Sequence, residues 1–221
     1  MMTGALLGQA VTERDASNMD VYARQASSSW RGYPMDKCAQ DVLVYQEIIM
    51  ALRPDIIIET GTWYGGSGLF FADMCELVGA GRVLSIDKGT EPYPLTQRLA
   101  QLPQHPRLTY LTGDSADPAT VAKAHAWADG ATGLVVLDSD HSASHVLAEL
   151  EEYHDLVSVG GFLIVEDTNV NGHPVRGDFG LGPWEAVQAW LGVADHPAFV
   201  PDADVEPYIT FAPGGYLRRL R

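Results

Sequence analysis

The chain has 221 residues, enough for one domain or for one domain with an appendage. Its 14 Lys+Arg stand against 29 Asp+Glu, and a net charge of −15 excludes a surface built to track nucleic acid phosphates or an anionic membrane. The 46% apolar content is that of a globular chain, and two cysteines, Cys38 and Cys75, make neither a disulfide framework nor a zinc site. Both are expected as small buried residues of a protein in a reducing cytoplasm. No apolar run approaches the roughly eighteen residues of a membrane span. The first ten residues lack the basic start of a signal peptide.

Residues 1–29 read as a mixed, polar appendage ending in Ala26-Ser27-Ser28-Ser29. The domain then runs from residue 30 to residue 221. Val42, Leu43, Tyr45, Ile48, Ile49 and Leu52 recur at helical spacing, and Arg53-Pro54 ends that helix. Asp55 to Glu59 predicts a buried strand, Ser67 to Val78 a helix, and Arg82 to Asp87 and Leu108 to Thr112 two more strands. Pro118 to Trp127 predicts a helix capped by Asp117. Gly133 to Asp138 predicts a strand, Ser142 to Val157 a helix, Gly161 to Asp167 a strand, and Pro183 to Leu191 a short helix. Continuous apolar strands between helices predict an α/β fold, a doubly wound parallel sheet covered on both faces. Tyr208 to Phe211 and Tyr216 to Arg218, split by Ala212-Pro213-Gly214-Gly215, predict an antiparallel hairpin at its C-terminal edge.

In such sheets ligands bind beyond the carboxyl ends of the strands. The first strand runs into Glu59-Thr60-Gly61-Thr62-Trp63-Tyr64-Gly65-Gly66-Ser67, where glycines allow a sharp turn and close approach to a ligand. This is neither GxGxxG nor a P-loop. Asp87 ends the second strand, where a ribose diol would be held, and Gly113-Asp114-Ser115 ends the third, where an adenine edge would lie. An adenosine ligand without phosphate chemistry points to S-adenosylmethionine. Glu59 and the Gly61 backbone would hold its amino-acid end. The expected cofactor residues are Glu59, Gly61, Tyr64, Gly65, Ser67, Asp87, Asp114 and Ser115.

The fourth strand ends Asp138-Ser139-Asp140-His141 and the fifth ends Glu166-Asp167. If these strands are neighbours, Asp138, Glu166 and Asp167 meet at one rim, and such a cluster calls for a cation. Oxygen donors without sulfur suit Mg²⁺. His141 stands where it would take a hydroxyl proton. Asp140 is read either as a helix cap or as a group orienting His141. His145 and His154 fit a solvated helix face; His105, His125, His173 and His196 carry no constellation. The Gly- and Pro-rich stretch from Asn169 to Gly182 reads as a lid over substrate. Trp30, Tyr33, Trp63 and Tyr64 are weak candidates for an apolar wall.

Taken together, these residues resemble the cephalosporin hydroxylase and rhamnosyl O-methyltransferase family of S-adenosylmethionine enzymes from antibiotic pathways. The resemblance rests on Trp30-Arg31-Gly32-Tyr33-Pro34, Asp41 with Tyr45-Gln46-Glu47, and Arg53-Pro54-Asp55 leading to Glu59-Thr60-Gly61 and Gly65-Gly66-Ser67. It continues through Asp138 to Ser142, Glu149-Leu150, Glu166-Asp167-Thr168, Asn171-Gly172-His173-Pro174, Gly182-Pro183-Trp184 and Gly214-Gly215-Tyr216-Leu217. It implies a Rossmann-like methyltransferase with a seven-stranded sheet, Mg²⁺ at Asp138, Glu166 and Asp167, His141 as general base, and a homo-oligomer. The first 29 residues match nothing in that pattern. The leading expectation is a Mg²⁺-dependent O-methyltransferase acting on a sugar or other vicinal hydroxyl of a natural product. Catechol-type methylation of a phenol, and a cofactor-binding subunit that assists a partner enzyme, are the alternatives.

Overall fold

The computed structural model describes residue 22 and residues 28–90, 93–193 and 198–221. Most of the appendage, including Ala26 and Ser27, and His196 lie outside the described residues. Seven strands form one sheet: β1 (Ile56–Thr60), β2 (Arg82–Asp87), β3 (Leu108–Thr112), β4 (Gly133–Leu137), β5 (Phe162–Val165), β6 (Phe199–Pro201) and β7 (Tyr216–Arg219). Their spatial order is β6-β7-β5-β4-β1-β2-β3. The five strands from β5 to the β3 edge are parallel, and β7 runs antiparallel to both β5 and β6. The chain leaves β1 toward β2 and β3, then crosses back to place β4 on the other side of β1. That reversal opens a crevice beside the β1 and β4 ends.

Successive side chains of a strand point to opposite faces, so a strand covered on both sides needs no polar alternation. Ile57, Val83, Val136 and Ile164 pack under the helices α1 (Ala39–Leu52) and α2 (Gly66–Val78), together with Tyr45, Ile49 and Phe71. Ile56, Ile58, Ile86, Val135 and Leu137 pack on the opposite face under α3 (Pro118–Ala128), α4 (Ala143–Tyr153) and α5 (Pro183–Leu191), with Leu150 and Trp190. Helices α3 and α5 start at the expected Pro118 and Pro183, α2 and α4 start within one residue of the expected Ser67 and Ser142, and the Asp117 side chain accepts from the Ala119 amide to cap α3. Cys38 and Cys75 are buried free thiols, as expected.

Three expectations are corrected. The hairpin partner of β7 is Phe199–Pro201, not Tyr208 to Phe211. The backbone of the latter segment is taken by α1 instead: the Ile209 amide donates to Gln40 Oε1 and the Phe211 amide to Asp41 Oδ2. The helix predicted to run from Ser142 to Val157 stops at Tyr153 and tightens to a 3₁₀ turn over His154–Leu156. Ser28 and Ser29, placed before the domain boundary by composition, are built into the domain. Ser29–Trp30 pairs with Tyr33–Pro34 in a small hairpin.

That hairpin explains one glycine. A Cβ on Gly66 would lie 2.2 Å from the Pro34 carbonyl oxygen, so the start of α2 is bare to admit the hairpin rather than a ligand. Among the described residues no helix is long and apolar enough to cross a membrane.

Candidate active site

Sheet register brings the site together. Thr60 pairs with Leu137, and Leu137 with Val165, so Gly61, Asp138 and Glu166 leave the sheet side by side. On the other side Thr60 pairs with Ile86, and Asp87 with Thr112, which brings the second and third strand ends to the same rim. A cavity of about 720 Å³ opens there, within the roughly 300–1,000 Å³ usual for a small-molecule site. Gly61, Asp87, Asp114, Ser115, Asp138, His141 and Asp167 all line it.

Gly61 marks the tightest point. Its φ is +88°, and a Cβ there would sit 1.9 Å from the Asp138 carbonyl oxygen, so only glycine lets β1 and β4 close at their ends. Asp87 is aimed by backbone: its Oδ2 accepts from the Trp63 amide at 3.0 Å, and its Oδ1 accepts from the Gly89 amide. Asp114 pairs with Lys88 at 2.7 Å and accepts from the Ala116 amide. Although burial opposes it, those donors hold the Asp114 carboxyl below its ordinary value.

The carboxylate side is different. Asp138, His141 and Asp167 each present a ligand atom, and these atoms lie within 4.8 Å of one another. His141 Nε2 is 3.1 Å from Asp167 Oδ2. Asp167 follows Glu166 in the left-handed backbone region, at φ 53°, a conformation that turns two adjacent acids different ways. Burial pushes the Asp167 carboxyl up to about 6, with Asp138 and Glu166 adding to the rise and His141 opposing it. Glu166 is buried and stands outside that three-residue group. Its Oε1 accepts from the Tyr45 hydroxyl and lies 2.9 Å from Lys37 Nζ.

Lys37 is the residue that sequence reasoning missed. It is 2% exposed and reaches Asp138 Oδ2 at 2.6 Å as well as Glu166. Burial alone would pull its ammonium down, but Asp138, Glu166 and Glu59 together hold it above the ordinary lysine value. Its only sequence signal is a position between an aromatic motif and the first helix, in Pro34-Met35-Asp36-Lys37.

Other expected residues sit behind the cavity or beside it. Glu59 is fully buried under the rim, where Ser85 donates to Oε2 at 2.6 Å and Ser67 adds a second bond. Glu59 Oε1 has no hydrogen-bond partner among the described residues, and burial pushes the carboxyl up to about 7. Gly65 begins α2 against Pro103 and Tyr110. Tyr64 is about half exposed and does not line the cavity, whereas its neighbour Trp63 does. The Trp63 indole donates to Asp36 Oδ2 at 2.9 Å. Trp30 faces away, donating to Asp73 and packing edge-on against Phe70. Asp140 accepts from the Ser142 amide and so acts locally as a turn former.

The two helix histidines are not on a solvated face. His145 lines the cavity, with Nε2 3.1 Å from Ser115 Oγ, and His154 packs on Trp190. Glu149, fully buried, accepts from both Ser115 at 2.5 Å and Ser139 at 2.7 Å. It ties the third and fourth strand ends together. The Asn169 to Gly182 segment carries Phe179 and Leu181 to the cavity wall. It is pinned at its base by Glu185, which accepts from the Asn171 amide group at 2.8 Å and contacts His173.

The model of the rhamnosyl O-methyltransferase/CmcI family matches residues 22–220. Rhamnosyl O-methyltransferases of Mycobacterium bovis and Mycobacterium tuberculosis are 36% identical over 197 residues, covering 87% of this chain and 78% of theirs. The chain belongs to the rhamnosyl O-methyltransferase/CmcI family. Its enzyme class is accordingly that of the S-adenosylmethionine-dependent O-methyltransferases. Among solved structures, CmcI with Mg and S-adenosylmethionine aligns with a TM-score of 0.64 at 21% identity, over 89% of this chain and 78% of that one. Apo CalS11, a TDP-rhamnose 3′-O-methyltransferase of calicheamicin biosynthesis, aligns with a TM-score of 0.54 at 18% identity, over 81% and 78%. Both have the same fold: a mostly parallel seven-stranded Rossmann-like sheet ending in an antiparallel hairpin.

Proposed function

We propose that this family member transfers the methyl group of S-adenosylmethionine to a hydroxyl of a rhamnose-like sugar or other vicinal diol, with a divalent ion, Mg²⁺, held at Asp138 and Asp167. One observation carries the reading. Asp138, His141 and Asp167 border the same cavity as Gly61, Asp87 and Asp114, so the cation side and the nucleoside side share one space. The two carboxylates fit a hard cation, because they offer oxygen without sulfur. The raised Asp167 carboxyl is the group such a cation would relieve.

A bound divalent ion supplies Lewis acidity, which lowers the pKa of a hydroxyl oxygen it contacts. The remaining work falls to the chain. Asp87, already oriented by two amides, offers its carboxylate to a ribose diol. The unpartnered Glu59 Oε1 favours an ammonium nearby. The His141 Nε2 edge faces Asp167, so a neutral ring with its proton there keeps Nδ1 as acceptor for the substrate proton. The acceptor oxygen then attacks the methyl carbon in line. The O–C bond forms, the C–S bond breaks, and its electron pair stays on sulfur. Holding the two reactants in that line is the main source of rate.

The test is a methylation assay with S-adenosylmethionine and a panel of rhamnosides and catechols, with and without chelator. Methylated rhamnoside that disappears on chelation and returns with Mg²⁺ is the expected result. Undiminished methylation under chelation overturns the metal assignment. Methylation of catechols alone overturns the sugar acceptor.

A further inference from the structure

Lys37 is bound more firmly than a chance ion pair requires. Ser28 Oγ accepts from the Lys37 amide at 2.9 Å and donates to its carbonyl at 2.6 Å, so one hydroxyl clasps the residue on both sides. The ammonium then bridges Asp138 Oδ2 and Glu166 Oε1, 101 residues and more away in sequence. Tyr45 donates to the same Glu166 oxygen. A buried ion pair adds little net stability, because desolvation offsets attraction, so its value lies in what it orients.

We propose that Lys37 is the positioning residue that sets the ion preference of this site, by taking one oxygen from each of two carboxylates. The inference rests on the metal reading above. With Oδ2 bound to the ammonium, Asp138 would have Oδ1 alone to offer an ion in the cavity. Glu166 keeps at most its second oxygen. Single-oxygen contacts suit Mg²⁺, which is small, octahedral and keeps several waters. Ca²⁺ takes more ligands and gains from two-oxygen carboxylate contacts. Charge fits a divalent ion of either kind: Asp138, Glu166 and Asp167 carry −3, Lys37 returns +1, and the remaining −2 matches one such ion.

The experiment is competition calorimetry of Mg²⁺ and Ca²⁺ on the full chain, without acceptor, for wild type, Lys37→Met and Tyr45→Phe. Lys37→Met is expected to move the affinity ratio toward Ca²⁺ by about tenfold or more, the size that outer-shell partners carry. Tyr45→Phe, which leaves Lys37 on the shared Glu166 oxygen, is expected to keep the ratio within about twofold of wild type. A Lys37→Met ratio equal to wild type overturns the proposal. A Tyr45→Phe shift as large as that of Lys37→Met also overturns the assignment to the lysine, and if Lys37→Met does not fold, Lys37→Gln is read in its place against the same outcomes. Wild type that binds neither ion overturns the metal reading itself, a different failure from an unmoved ratio.

Discussion

The two halves of the cavity rim solve the burial of acids in different ways. At the β2 and β3 ends, Asp87 and Asp114 are satisfied by nearby amides and by a half-exposed lysine, and Asp114 stays ionised below its usual range. At the β4 and β5 ends, Asp138, Glu166 and Asp167 crowd around one buried lysine, and Asp167 is pushed up to about 6. The first half is complete without a guest and offers a shaped acceptor. The second is electrostatically unfinished, and under the proposed function a cation would complete it. The lesson is that the same residue type, placed at neighbouring strand ends, is satisfied where its partners are local and is left crowded with like charge where they are not.

Four substitutions test that division, beginning with the largest effect. Asp138→Ala strikes the unfinished half alone. Turnover should fall by about 10⁴-fold, the several kcal/mol that metal catalysis supplies, while S-adenosylmethionine affinity by calorimetry stays within a few-fold. Matched losses in both would erase the distinction between the halves. His141→Ala removes the proposed base, and kcat should drop about a hundredfold or more with little change in cofactor affinity. Retention of most activity there would point to an acidic phenol acceptor.

Asp87→Ala strikes the complete half. Cofactor affinity should weaken about tenfold to a hundredfold, the worth of hydrogen bonds to a charged group, with the Mg²⁺ isotherm unchanged. A changed Mg²⁺ isotherm would mean that the two halves are coupled.

The smallest effect concerns Glu59, which lies under both halves. Its folded pKa of about 7 is above the unfolded value, so its contribution to stability is present below about pH 4.5 and is lost as pH rises through 7. Glu59→Gln removes that loss. The melting temperature of the variant relative to wild type, both without cofactor, should therefore climb between pH 5 and pH 8. A constant difference across that window would show that Glu59 does not titrate there.

Much of this was legible in the chain itself. The apolar runs of β1, β4 and β5 and the helix spacing between them marked those elements within a residue or two, except for the end of α4. The acids that end those strands could be named before their neighbours were known. The C-terminal hairpin was half legible. β7 was placed correctly, but its partner was misassigned to Tyr208 to Phe211, because an apolar alternation does not say that Asp41 and Gln40 will claim a segment's backbone. His145 was misread for a related reason: a helix face is solvated or buried according to what packs against it, and Ser115 reaches His145 from the third strand end.

Sequence by itself determined the parallel strands, most of the helices, the acidic strand ends and the glycine at position 61. These follow from periodicity, side-chain chemistry and backbone sterics, which act over a few residues. Tertiary structure alone decided that Asp138, His141 and Asp167 converge while Glu166 turns to Tyr45, and that a lysine 101 residues from Asp138 is the cation between them. The physical reason is that electrostatic partnership depends on distance in space. Strand order and register set that distance, and no local pattern encodes it.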